Sequence, residues 1–148
     1  LFTFTKYINE ILSSSYDFSK NEKDSKGPHH YYDFKDENNK SFRVHINHGK
    51  HDSGVGDVNF STGKDKGKGK REFGLTGDSH KVSHKILGTV SSILRAHAQK
   101  HGLSHYTFSA KASEPSRVKL YNTITKRHKG ETDFTPYNNM HHFIIPSN

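Results

Sequence analysis

Apolar residues recur along this chain with two periods, and each switch between them marks an element. Phe4, Ile8, Ile11 and Leu12 share one face at helical spacing before a run of serines at 13 to 15, which predicts a short packing helix. Residues 19–28 are charged and polar and close on Gly27 and Pro28, as an exposed connector would. Tyr32 and Phe34 then alternate with polar neighbours, and after a polar turn at 37–40 so do Phe42, Val44 and Ile46. That pattern predicts an antiparallel hairpin with Arg43, His45 and Asn47 on the opposite face. Past an exposed loop at 48–54, a third strand at 55–62 puts Val58 and Phe60 on one face and extends a meander.

The second half changes period. Residues 63–71, GKDKGKGKR, hold nothing to bury and read as an exposed basic loop, with a short strand expected at 72–76. Asp78 and Ser79 suit a helix N-cap ahead of the stripe Val82, Ile86, Val90, Ile93 and Leu94, and His101 with Gly102 closes that helix. Tyr106 and Phe108 mark a short buried strand reached by a parallel crossover. Ser113, Glu114 and Pro115 open a second helix, whose inner stripe is Val118, Tyr121, Ile124 and Thr125. Lys126 to Lys129 suit the negative end of its dipole, and Gly130 stops it. Another exposed loop at 130–140 leads to a terminal strand in HHFIIP. The order predicts one α+β domain over 1–148, with a mixed, mostly antiparallel sheet and a helix-strand-helix crossover in its second half.

Composition narrows the picture. Only 29% of the 148 residues are hydrophobic, yet 10 Phe and 7 Tyr allow a compact aromatic core beneath large exposed loops. With no Cys, thiolate and disulfide chemistry is excluded. No apolar run is long enough to span a membrane and no leader pattern opens the sequence, so a soluble, unsecreted protein without membrane partners is expected. Charge is lopsided: residues 1–60 carry 8 basic and 9 acidic side chains, residues 61–148 carry 15 and 6. The basic half suits an anionic partner such as nucleic acid, a cofactor pyrophosphate or an acidic protein surface.

The order of elements, together with Ser116-Arg117-Val118-Lys119-Leu120-Tyr121 on the last helix, resembles the GCN5-related N-acetyltransferase (GNAT) superfamily. In that family a strand leads into a loop and helix that cradle the coenzyme A pyrophosphate, and a later helix bears an Asn-x-x-Ala-x-x-Leu-Tyr type motif. The resemblance implies acetyl-CoA as cofactor, transfer to an amine, and Tyr121 as general acid toward the departing thiolate. It implies a pyrophosphate loop at Lys85, Gly88 and Thr89, where Lys85 replaces the family's Gln or Arg, and Val90, in place of a small residue, would crowd a phosphate. The segment from Gly77 through Ser79 and His80 is an alternative anion site, although Asp78 would repel phosphate. For a general base the resemblance points to Glu72, with His80 or His84 as substitutes. FTFTKYINEIL and the SRVKLYNTITKR helix are also similar in style to small proteins of tailed marine phages, which implies a host-cytoplasmic or virion-associated setting.

Thirteen histidines raise the question of metal. His45 and His48 would point to opposite strand faces, so only a loop could gather them with His51; His80 and His84 are one helical turn apart without a third ligand, and no HExxH pattern is present. No metal is expected on this reading. The Gly-Lys loop lacks the ending of a phosphate-binding P-loop, but Lys64, Lys66, Lys68, Lys70 and Arg71 could neutralise nucleic-acid phosphates, with Tyr31, Tyr106 and Tyr137 as stacking candidates. Two readings outside catalysis therefore stand beside the acyltransferase: a binding or virion-associated module that uses the basic half, and a protein that occupies a host enzyme's surface.

Overall fold

The structure is a computed structural model that describes residues 15–49, 54–62 and 84–147. Alternating runs form strands β1 (Phe18–Lys20), β2 (His29–Lys35), β3 (Ser41–Asn47), β4 (Val55–Thr62), β5 (His105–Lys111), β6 (Glu131–Thr135) and β7 (Met140–Pro146). The 3.6-period runs form helices α1 (His84–His101) and α2 (Pro115–Arg127). All seven strands join one sheet in the order β1-β2-β3-β4-β5-β7-β6. Among the described strands only β4 and β5 run parallel, with α1 in the crossover between them, and every other described pair is antiparallel.

Both helices cover the same face. Tyr32, Phe34, Phe42, Val44, Ile46, Val58, Phe60, Tyr106, Phe108, Phe143 and Ile145 are buried there, each spaced by two along its strand. Phe34, Phe42 and Phe60 stack across three strands with ring centroids 5.1 and 5.8 Å apart. Each such pair contributes roughly 0.5–1.5 kcal/mol beyond burial. The Tyr106 hydroxyl donates to the Leu94 carbonyl at 2.6 Å and ties β5 to α1, while the Phe108 ring packs on Tyr121 of α2 at 4.9 Å. The helices join directly where Ser91 Oγ meets His128 Nε2 at 2.9 Å. The opposite face is polar: Arg43 spans Asp33 (2.7 Å) and Asp24 (2.9 Å) and lies over the Tyr31 ring.

The α+β class and the mixed, mostly antiparallel sheet agree with the sequence reading, as do the meander and the crossover. Some details differ. Part of the expected connector at 19–28 is the edge strand β1, paired with Tyr32 to Phe34, and part of the expected loop at 130–140 is β6. Both are edges with at most one partner, and β6 is exposed on both faces, so neither shows apolar alternation. At the end of α2 the left-handed residue is Lys129, at φ 55°, and Gly130 serves by its size. A Cβ on Gly130 would lie 2.2 Å from the Ile144 carbonyl oxygen. The expected helix at 4–12, the strand at 72–76 and the caps Asp78 and Ser79 lie outside the described residues. No described helix is long and apolar enough to cross a membrane.

Candidate functional site

The parallel pair β4 and β5 is joined only at its start. Val55, Gly56 and Asp57 pair with His105, Tyr106 and Thr107; beyond them β4 continues to Thr62 and β5 to Lys111 with no rungs between them. β4 stays paired to β3 through Thr62, and β5 to β7 through Lys111, so the sheet divides between two intact halves. A parted parallel pair turns backbone N–H groups toward a gap, where each needs some other partner.

Tyr121 supplies one. The stripe that buries α2 brings its side chain under the gap, fully buried between Phe108 and Phe143, and its hydroxyl accepts the Phe60 N–H at 3.3 Å. Burial pushes the phenol up to about 12, so it stays protonated. A strand amide directed into the gap and a protonated phenol thus meet at one point. Those two groups can stabilise developing charge on a carbonyl oxygen and protonate a leaving group.

On the sheet face away from the helices, a cavity of about 290 Å³ is lined by Asp57, Thr107, Glu131, Asp133 and His142 among others. Its carboxylates suit a cationic guest. Asp57, at the last rung before the strands part, accepts from Thr107 Oγ1 at 3.1 Å. Partial desolvation raises its carboxyl above the usual range, and the Thr107 hydrogen bond opposes it.

Of the other expected cofactor and base residues, His84, Lys85, Gly88 and Thr89 are among the described residues. Glu72, Gly77, Ser79, His80, Lys64, Lys66, Lys68, Lys70 and Arg71 lie outside the described residues, as does His51. Gly88 and Thr89 are buried within α1, and Thr89 Oγ1 accepts the Tyr16 N–H and donates to the Lys85 carbonyl, both at 2.7 Å. That is a packed helix face, with the Thr89 side chain already engaged. Lys85 is exposed, its Nζ 4.5 Å from the centre of the Tyr16 ring, and His84 is exposed beside it. Tyr106, offered as a base-stacking ring, is buried.

Sequence reasoning missed two features. The sequence places the strand preceding the crossover at 72–76, whereas the described strand next to β5 is β4, which carries Asp57. The sequence points to histidines at 45, 48 and 51 and at 80 and 84, whereas the fold gathers His30, His48, His97 and His101, with ring nitrogens within 4.8 Å of one another. The available signal was His97 and His101 one turn apart, with His30 and His48 continuing the buried-face alternation of β2 and β3.

No family model matches this chain, and no curated protein does. Among solved structures it is similar to a mutant of the spermidine N-acetyltransferase SpeG from Vibrio cholerae, with a TM-score of 0.51 and 10% identity over 81% of this chain. A chimera of that enzyme with hSSAT gives the same TM-score, identity and coverage of this chain. The chain spans 66% of the first structure and 68% of the second. At 10% identity the likeness is one of fold, and that fold is GNAT-like.

Proposed function

We propose that this chain is an acetyl-CoA-dependent N-acyltransferase acting on a cationic amine. The observation that carries the reading is the meeting of the Phe60 N–H with the Tyr121 hydroxyl where β4 and β5 part. The chemistry of these groups fits the thioester end of acetyl-CoA. For its pyrophosphate end the candidates are Lys85 and, outside the described residues, Gly77, Ser79 and His80.

Acetyl-CoA supplies an acyl thioester, and the net change is one C–N bond made and one C–S bond broken. The Phe60 N–H is the donor for the acyl oxygen. Tyr121 holds a proton at its hydroxyl for the departing sulfur, and general acids of this kind contribute roughly 10²–10⁴-fold. Asp57 faces the cavity on the far side of the sheet, where it takes the proton released by the amine, and Glu131 and Asp133 hold the guest's remaining positive charge. The similar structures are titled spermidine acetyltransferases, so spermidine is the first acceptor to try.

Calorimetry with acetyl-CoA and thiol release with spermidine test the reading together. Saturable binding and amine-dependent thiol release support it. Absence of acetyl-CoA binding overturns it, and steeply salt-sensitive nucleic-acid binding in its place would favour a binding module on the same fold.

A further inference from the structure

We propose that His30, His48, His97 and His101 form a four-coordinate site for a divalent transition-metal ion, with zinc the natural occupant. The site lies apart from the parted strands and does not rest on the acyl-transfer reading. His30 is on β2, two residues before the buried Tyr32; His48 follows β3 on the alternation of Val44 and Ile46; His97 and His101 are one turn apart at the end of α1. Both strand residues therefore face the helix that crosses above them. The His48 backbone N–H donates to the Pro28 carbonyl at 3.0 Å and fixes the approach of the loop.

The ring nitrogens are arranged as donors to a shared centre. All four lie within 4.8 Å of one another, and His48 Nε2 is 2.8 Å from His97 Nε2. With zinc–nitrogen bonds of about 2.0–2.1 Å, a tetrahedral site needs nitrogens about 3.3 Å apart, so these distances straddle the requirement. His30 Nδ1 and His101 Nε2 are buried and have no hydrogen-bond partner. Buried polar atoms are normally satisfied, and one ion would satisfy both. His97, fully buried, has its other nitrogen 2.7 Å from the Tyr32 hydroxyl. A proton on Nδ1 donated to Tyr32 leaves Nε2 as a lone pair toward the centre, the outer-shell contact that metal-bound histidines need.

Four protein ligands leave no open position, the mark of a structural site. In the sheet's register His29 pairs with Asn47, Asn47 with Asp57, and Asp57 with Thr107, so the cluster stands at the closed end of β4 and β5. An ion there would clamp the end of α1 to the β2–β3 hairpin. Imidazole donors suit Zn, Ni, Cu and Co and disfavour Mg and Ca; Lys20 and Lys100 nearby set the affinity below that of a site with anionic ligands.

The experiment titrates the tag-free full chain, stripped with chelator, with Zn(II) by calorimetry and with Co(II) by visible absorption. One saturable equivalent, with the intense bands of four-coordinate cobalt, is expected. His101→Asn and His30→Asn, each checked for folding by circular dichroism, should weaken binding at least about tenfold, and Tyr32→Phe about 10–100-fold, whereas His105→Asn and His141→Asn outside the cluster should leave it unchanged. X-ray absorption of the wild-type zinc complex, which needs no variant, should show about four nitrogen neighbours near 2.0 Å. Absence of a saturable equivalent, a six-coordinate cobalt spectrum, or equal losses in the outside variants overturns the proposal.

Discussion

The two ends of the β4–β5 pair solve the same problem differently. At the closed end the strands are bonded through Asp57 and Thr107, and polar side chains crowd the neighbouring space as a histidine cluster under α1. At the parted end the strands separate, and one phenol from α2 answers a strand amide. The first arrangement holds a helix to the sheet with side chains alone. The second leaves a backbone donor answered by one side chain in place of a ladder bond. Under the acyl-transfer proposal, the bonded end would hold the frame and the side-chain contact at the parted end would be the one the substrate replaces.

Removing the phenol is the sharpest way to break that contrast. Tyr121→Phe should lower kcat by roughly 10²–10⁴-fold with KM for acetyl-CoA little changed. Its cost to stability should be smaller, about 1–3 kcal/mol for the Phe60 N–H left without that acceptor. A Tyr121→Phe protein with wild-type kcat would reduce the phenol to a packing role.

Gly130→Ala strikes the same end from behind. The added Cβ would sit 2.2 Å from the Ile144 oxygen and 3.0 Å from the Ile145 Cα, both backbone atoms that cannot swing aside. The chain leaving α2 must therefore back away from β7 and carry Tyr121 with it. A loss of about 3 kcal/mol is expected in urea unfolding, at the upper end of overpacking costs. If the histidine cluster at the other end is independent, zinc affinity should be unaltered in the folded variant.

How far these ends can be read from sequence follows from how many faces of each element are wet. Phe42, Val44, Ile46, Val58 and Phe60 announce their strands because one face is buried, and Pro115 announces the start of α2 because its missing N–H costs nothing there. β6 carries no such signal, being exposed on both faces, and β1 is too short to alternate. Tyr121 is legible as a buried stripe residue, and the resemblance of its helix to a GNAT motif points to the same residue. Its bond to Phe60 is not legible, since it depends on where two strands stop pairing. The histidine cluster is hidden for a related reason: its members come from a strand, a loop and a helix, and only the register of β2 on β3 and the path of α1 bring them together.

Acid tests the contact between the helices that serve the two ends. His128 is buried against Ser91, and burial, with Arg95 and Arg127 nearby, lowers it to about 4 from 6.5. Below pH 6.5 the unfolded chain takes up a proton that the folded chain refuses, so stability falls as pH drops from 6.5 to about 4 and levels off below. The loss attributable to this one group is on the order of 2–3 kcal/mol by pH 4. Other lowered histidines add to it, so the informative quantity is the difference between wild type and His128→Gln in urea midpoints across that window. Parallel pH profiles for the two proteins would mean that His128 titrates normally.

The smallest expected effect falls on Asp57, the residue at the boundary between the ends. Its carboxyl is raised by desolvation and held back by the Thr107 hydrogen bond. Thr107→Val removes the restraint while keeping a β-branched strand residue, so Asp57 should titrate at higher pH and the acidic limb of kcat/KM should shift upward with it. Stability should change by less than about 1 kcal/mol, as for an exposed hydrogen bond. Because Tyr121 and Phe60 are untouched, the height of the pH plateau should hold while its edge moves. An edge that stays in place would separate Asp57 from proton removal and leave the parted end to act with a base from elsewhere, whereas a shift would tie the last rung of the closed ladder to the chemistry of the open one.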